Sequence, residues 1–221
     1  MDKHSQKNGI IEGTIWKQLL IFFFPILVGT FFQQLYNTVD AVIVGQFAGK
    51  EALSSVGGSS SQIINFVVGF FTGLSAGATV IISQFYGAND ANKIHRALHT
   101  AYAFSIVGGI IAGIIGIALT VPVMKLMNTP EELMHDSAMY VMIYFGGLVF
   151  IFVYNMGSAI LRAIGDSKRP LYYLIICCFI NIVLDIVFVS VLKLGVLGVA
   201  VATFISQLVS AVLVTRALMY H

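Results

Sequence analysis

The stretch 16–45 reads WKQLLIFFFPILVGTFFQQLYNTVDAVIVG. A helix rises about 1.5 Å per residue and the hydrocarbon core of a bilayer is about 30 Å thick, so about 20 apolar residues cross it. The stretch exceeds that need, carries Pro25 as a candidate kink and holds an acid, Asp40, within it. A cleavable signal peptide has an apolar region of only about 7–15 residues. Here the apolar pattern runs on to Gly45, so a retained first span is predicted.

Five further stretches qualify, giving six predicted spans at 16–45, 52–86, 94–121, 133–162, 170–192 and 196–219. The breaks between them carry turn chemistry: Gly87-Ala88-Asn89-Asp90, Asn128-Thr129-Pro130, Gly165-Asp166-Ser167 and Gly195. Composition agrees. Apolar residues make up 58% of the 221-residue chain and charged residues 10%, against about 25% charged in an ordinary soluble domain. The mean hydropathy is +0.91. A soluble enzyme, a nucleic-acid binder and a disordered protein are excluded as descriptions of the whole, leaving an all-α membrane protein in the lipid bilayer. The net charge of +2 points to no strongly charged partner and to no nucleic acid. Cys177 and Cys178 are neighbours in an apolar run and are read as helix packing.

Lys and Arg set the orientation. Nine of them (Lys3, Lys7, Lys17, Lys93, Arg96, Arg162, Lys168, Arg169 and Arg216) fall on one side, and Lys50, Lys125 and Lys193 on the other. The nine mark the cytoplasmic side, so both termini are expected inside, in a multi-pass protein of the cell membrane.

Ionisable groups within a span are costly and usually functional. Two carboxylates lie well inside spans, Asp40 in the first and Asp185 in the fifth, both in the outer half by helix rise. At 100° per residue Gly29, Gln33, Tyr36, Asn37 and Asp40 share a stripe. Asn181 lies one turn from Asp185, and Thr203 sits at a similar level on span 6, followed by Ser206, Gln207 and Ser210. Two carboxylates, an amide and a hydroxyl suit a proton or a hard cation such as Na⁺. No organic or metal cofactor is expected beyond that coupling ion. Gly69, Gly73 and Gly77 read as a seam for close helix approach. Ser59-Ser60-Ser61-Gln62 and Asn65 suit either a cavity lining or a packing face. His95 and His99 are four apart with no third ligand evident, and read as a solvated pair. No phosphate loop, nucleophile elbow or metalloprotease motif is present, so no enzyme is expected.

Three segments together resemble the multidrug and toxic compound extrusion (MATE) transporters: 33–40 with Val44-Gly45, the loop 161–170, and Asn181-Ile182-Val183-Leu184-Asp185. The acidic pair is similar to the family's DinF-like branch. The resemblance implies a bundle of six transmembrane helices forming the N-terminal lobe, here 1–221, of a twelve-span antiporter. It implies a proton or Na⁺ coupling site at Asp40, Asn181, Asp185 and Thr203. It implies a cavity faced by Gln34, Tyr36 and Asn155, to which the stripes add Asn37 and Gln207. The substrates it implies are amphipathic, often cationic, organic compounds. The chain is about half the family's length, so a second six-helix lobe is expected from a missing C-terminal half or from another chain. A lipid-linked substrate flippase of the same superfamily would line its cavity with cations, and here no Lys or Arg lies deep within a span. An intramembrane aspartyl protease would need a Gly-x-Gly-Asp span, which is absent. A lobe with a structural role alone is the remaining alternative.

Overall fold

The computed structural model describes residues 15–219. Lys3 and Lys7 lie outside them. Eight α-helices and two π-helical segments follow in order: α1 (Ile15–Ile43), a first π segment (Val44–Ala48), α2 (Lys50–Gly57), α3 (Ser59–Gly87), α4 (Ala91–Leu126), α5 (Glu131–Gly146), α6 (Leu148–Ala163), α7 (Lys168–Asp185), a second π segment (Ile186–Val191) and α8 (Gly195–Met219). Five helical units are long and apolar enough to cross a membrane, and the pair α5–α6, bent by 49°, makes a sixth. The chain is therefore a six-crossing helical bundle, with no strand among the described residues.

Two predicted spans are interrupted where they were expected to be continuous. The second breaks at Gly58, between α2 and α3. A Cβ there would stand 2.7 Å from the Ser54 carbonyl oxygen, so glycine permits the tight step. The fourth bends at Gly147, between α5 and α6. The third runs past its predicted end at Val121, through Pro122 to Leu126.

The helix starts follow local chemistry. Asp90 caps α4, its carboxylate accepting from the Lys93 amide at 3.1 Å and pairing with the Lys93 amine at 3.0 Å. Glu131 and Glu132 occupy the first turn of α5, at the positive end of the helix dipole. Asp166 accepts from the Lys168 and Arg169 amides, opening α7.

Helix α6 is the axis of the bundle, with eleven of its sixteen residues buried, among them Phe152, Met156 and Ile160. Helices α3, α4 and α8 lean on it. The small-residue seam lies in α4, contrary to the expectation for Gly69, Gly73 and Gly77, whose Cβ positions meet nothing within 4 Å. A Cβ on Gly109 would stand 2.7 Å from Val149 Cα, and one on Gly113 would stand 2.7 Å from the Phe145 carbonyl oxygen. The sequence shows Gly-xxx-Gly spacing in both helices, and spacing alone does not say which face has a neighbour.

Gly113→Val is therefore expected to lower stability by about 1–3 kcal/mol or more, because backbone cannot yield to the added methyls. Gly73→Ala should change stability by less than about 0.5 kcal/mol. Thermal unfolding of the two purified variants checks this, and equal losses would contradict the packing.

Candidate functional site

The acid-bearing spans meet where α1, α7 and α8 converge. On α1, Gly29 packs against Leu171 and Leu174 of α7, and its helical neighbours in phase, Tyr36 and Asp40, point the same way. Asp185 is the last residue of α7, with Asn181 one turn before it. Thr203 faces them from α8. Asn181 and Asp185 are completely buried, while Asp40 is 8% and Thr203 4% exposed.

One amide joins the two acids. In the orientation that satisfies its neighbours, the Asn181 side-chain nitrogen donates to Asp40 Oδ1 at 2.8 Å and to Asp185 Oδ2 at 3.1 Å. The two carboxyl groups are electrostatic neighbours. Tyr36 reaches Asp40, and its hydroxyl donates to Thr203 Oγ1 at 3.5 Å. Asp185 Oδ1 is buried and has no donor.

The electrostatics follow from this geometry. Oxygens bound to one nitrogen at these distances lie within 6 Å of each other. Two full negative charges at about 5 Å repel by about 3 kcal/mol even at an effective dielectric of 20. Ionised carboxylates are acceptors alone, so neither can serve the other. A proton or a small cation shared by the pair would relieve the repulsion and serve the orphaned Asp185 oxygen. The oxygens of Asp40, Asp185 and Thr203 are the kind a hard cation takes, whereas Asn181 presents its nitrogen to the acids as a donor.

The predicted stripe on α1 divides in two. Gly29, Tyr36 and Asp40 turn into the bundle, while Gln33 and Asn37 are exposed on the flank, beside Gln34 and Thr38, which lie outside the stripe. Asn37 there donates to Gln34 Oε1 at 3.4 Å. Tyr36, expected in a cavity, thus has its hydroxyl inside the acid cluster. Asn155 on α6 and Gln207 on α8 are half-buried. Ser206 and Ser210 donate to carbonyls of their own helix, at 2.9 and 2.7 Å. Gln62 and Asn65 are exposed, while Ser60 is buried on the Ser55 carbonyl. The rings of His95 and His99 lie 4.4 Å apart on an exposed face.

Sequence reasoning missed Tyr140 and Tyr144. Both approach the cluster from α5, Tyr140 near enough to interact with both acids. Their spacing of four residues places both on one helix face, and that signal is too common to single them out.

Over residues 25–187 the chain matches the MatE family model. It belongs to the MatE family. Relatives in Bacillus subtilis (strain 168) include the probable multidrug resistance protein YoeA, 32% identical over 201 residues, covering 89% of this chain and 43% of that protein. Another is the probable multidrug resistance protein YpnP, 33% identical over 197 residues, covering 89% of this chain and 44% of that one. Among solved structures, the outward-facing conformation of a multidrug resistance MATE family transporter of the MOP superfamily superposes with a TM-score of 0.88 at 25% identity, over 98% of this chain and 48% of that one. The chain thus spans about half the length of the relatives it matches, and its fold is that of one MATE lobe.

If Asn181 bridges the acids, its removal should cost less once one acid is neutral. Asn181→Ala is expected to lower stability by about 1–3 kcal/mol. In an Asp40→Asn background that loss should shrink by at least about 0.5 kcal/mol, the mark of coupled neighbours. Denaturation of the two single variants and the double variant checks this, and strict additivity would contradict the bridge.

Proposed function

We propose that this chain forms one lobe of a multidrug exporter in which the Asp40–Asn181–Asp185 cluster, with Thr203, takes up and releases a proton or Na⁺. The observation that carries this reading is a pair of buried acids joined through one amide, with one acid oxygen lacking any donor. Such an arrangement is expensive to maintain in hydrocarbon and suits a site that binds a positive charge in part of a cycle. The names of YoeA and YpnP support drug export as the overall activity. Amphipathic organic cations are the proposed substrates, and the exposed amides of Gln34 and Asn37 the proposed lining on α1, with Asn155 and Gln207 deeper.

Alternating access requires a second bundle that rocks against this one around the site. The opposing six-helix lobe would come from a further part of the protein or from another chain. The proposed location is the cell membrane with both termini cytoplasmic, following the nine cations on that side. Ion binding would bias the cycle through its difference in affinity between the outward and inward states, and by no more than that difference. Span 1, with Pro25 inside it, is the proposed moving element.

In the complete transporter Asp40→Asn and Asp185→Asn are each expected to cut dye efflux at least ten-fold, with unchanged membrane abundance. Efflux from vesicles under an imposed proton gradient or an imposed Na⁺ gradient identifies the ion. Wild-type efflux by both variants would end the coupling role.

A further inference from the structure

Helices α3 and α4 both lean on α6, and they diverge from each other over part of their length, leaving an apolar crevice between them. Its inner half is a groove of about 620 Å³ walled by Leu74, Ile81 and Phe85 of α3 and by Ala97, Ala101 and Phe104 of α4. Met156 of α6 forms part of the floor. From Phe85 to Leu74 the groove descends about 16 Å along the helix, close to one leaflet of a hydrocarbon core about 30 Å thick. Gly77 lines it, with open space where a side chain would stand.

Two cations stand at its mouth. Lys93 and Arg96 are three apart on α4, and both line the groove. The Lys93 amine is held there by Asp90 at 3.0 Å and lies 5.8 Å from the centre of the Phe85 ring. Hydrogen bonding from Lys93 keeps the Asp90 carboxyl below its usual range, so Asp90 stays charged and offsets one of the two cations. The Arg96 guanidinium has no carboxylate partner among the described residues, so the mouth keeps one unit of positive charge. The outer half of the crevice supplies a contrast. It has the same volume, about 620 Å³, and similar walls such as Phe66, Phe70 and Leu119, but no charged residue lines it.

We propose that the inner groove between α3 and α4 binds one anionic phospholipid, with an acyl chain along the apolar walls and the phosphate at Arg96 and Lys93. The walls alone would accept any hydrocarbon chain. The charge at one end selects the headgroup and the leaflet, since basic pockets between helices on the cytoplasmic side recognise anionic lipid heads. The site is separate from the acid cluster, which lies among α1, α7 and α8.

Native mass spectrometry tests this on the full chain as expressed, purified and exposed to equimolar phosphatidylglycerol and phosphatidylcholine with identical acyl chains. Phosphatidylglycerol is expected to be retained about five-fold more, the effect of one cation near a lipid phosphate. Arg96→Gln should abolish that preference. Gly77→Leu, whose Cβ would meet nothing within 4 Å and whose side chain would occupy the groove, should lower retention of both lipids at least five-fold, and Gly69→Leu, equally open at Cβ but outside the groove, should leave both unchanged. Equal retention of the two lipids by the unmodified protein would overturn the proposal. So would an unaltered preference in Arg96→Gln, or displacement of the lipid by millimolar inorganic phosphate. A photo-cross-linker at Ala101 that captures a protein segment in place of lipid would overturn it as well.

Discussion

Two carboxyl groups and one amide sit where three membrane helices cross, and the arrangement is one hydrogen-bond donor short of being satisfied. Asn181 offers two N–H donors. Its nitrogen serves one oxygen of Asp40 and one of Asp185, and the second Asp185 oxygen is left bare in a fully buried position. The knot ties α1 to α7 through contacts that depend on the charge of the acids. Tyr36 and Thr203 extend it to α8. Any event that changes the charge therefore acts on the packing of three spans at once. A fully apolar junction of the same helices would pack well and would have nothing to respond to.

Both acid-bearing spans leave the α-helical register just beyond their acid. The first π segment begins four residues after Asp40, and the second begins directly after Asp185. Bonds five residues apart mark them, from the Gly49 amide to the Val44 carbonyl at 3.1 Å and from the Leu192 amide to the Val187 carbonyl at 2.9 Å. The two wide turns touch each other, with Val44 and Val189 buried between the spans. A π turn accommodates extra backbone at modest cost and recurs at functional sites. Here it changes the helical phase on leaving the cluster, so the ends of the two spans beyond the acids are set by the geometry around them.

Much of this was legible in the residues. Helical rise against bilayer thickness placed six crossings, and the intramembrane cost of Asp40 and Asp185 marked the acids. Helical phase put Asn181 on the face of Asp185. The less legible features are those in which tertiary neighbours decide between equal local patterns. Gly69-Gly73-Gly77 and Gly109-Gly113 have the same spacing, yet only the α4 pair meets another helix. The breaks at Gly58 and Gly147 follow from glycine pairs inside apolar runs that looked continuous. The π turns have no composition signal, because Val-Gly-Gln-Phe-Ala and Ile-Val-Phe-Val-Ser-Val would also suit an ordinary helix or a strand. The split of the α1 stripe into buried and exposed parts depends on where α7 lies.

The exposed surface divides into two kinds. Helix α4 presents Ile110, Ile111, Ile114 and Ile115, each about half exposed or more, as a lipid-facing wall. Helices α1 and α3 expose the amides of Gln33, Gln34, Asn37, Gln62 and Asn65. An amide moved from water into hydrocarbon without a partner costs roughly 2–7 kcal/mol. The three amides on α1 therefore face water or another polar wall in place of hydrocarbon. Asp40 stands where α1 carries both characters. It is 8% exposed beside the amide flank, whereas Asp185 behind it is completely enclosed. In the proposed coupling role, a positive charge arriving from that flank would meet Asp40 before the bare oxygen of Asp185. The difference in burial would then set the order of the two acids, Asp40 nearer the amide flank and Asp185 behind it.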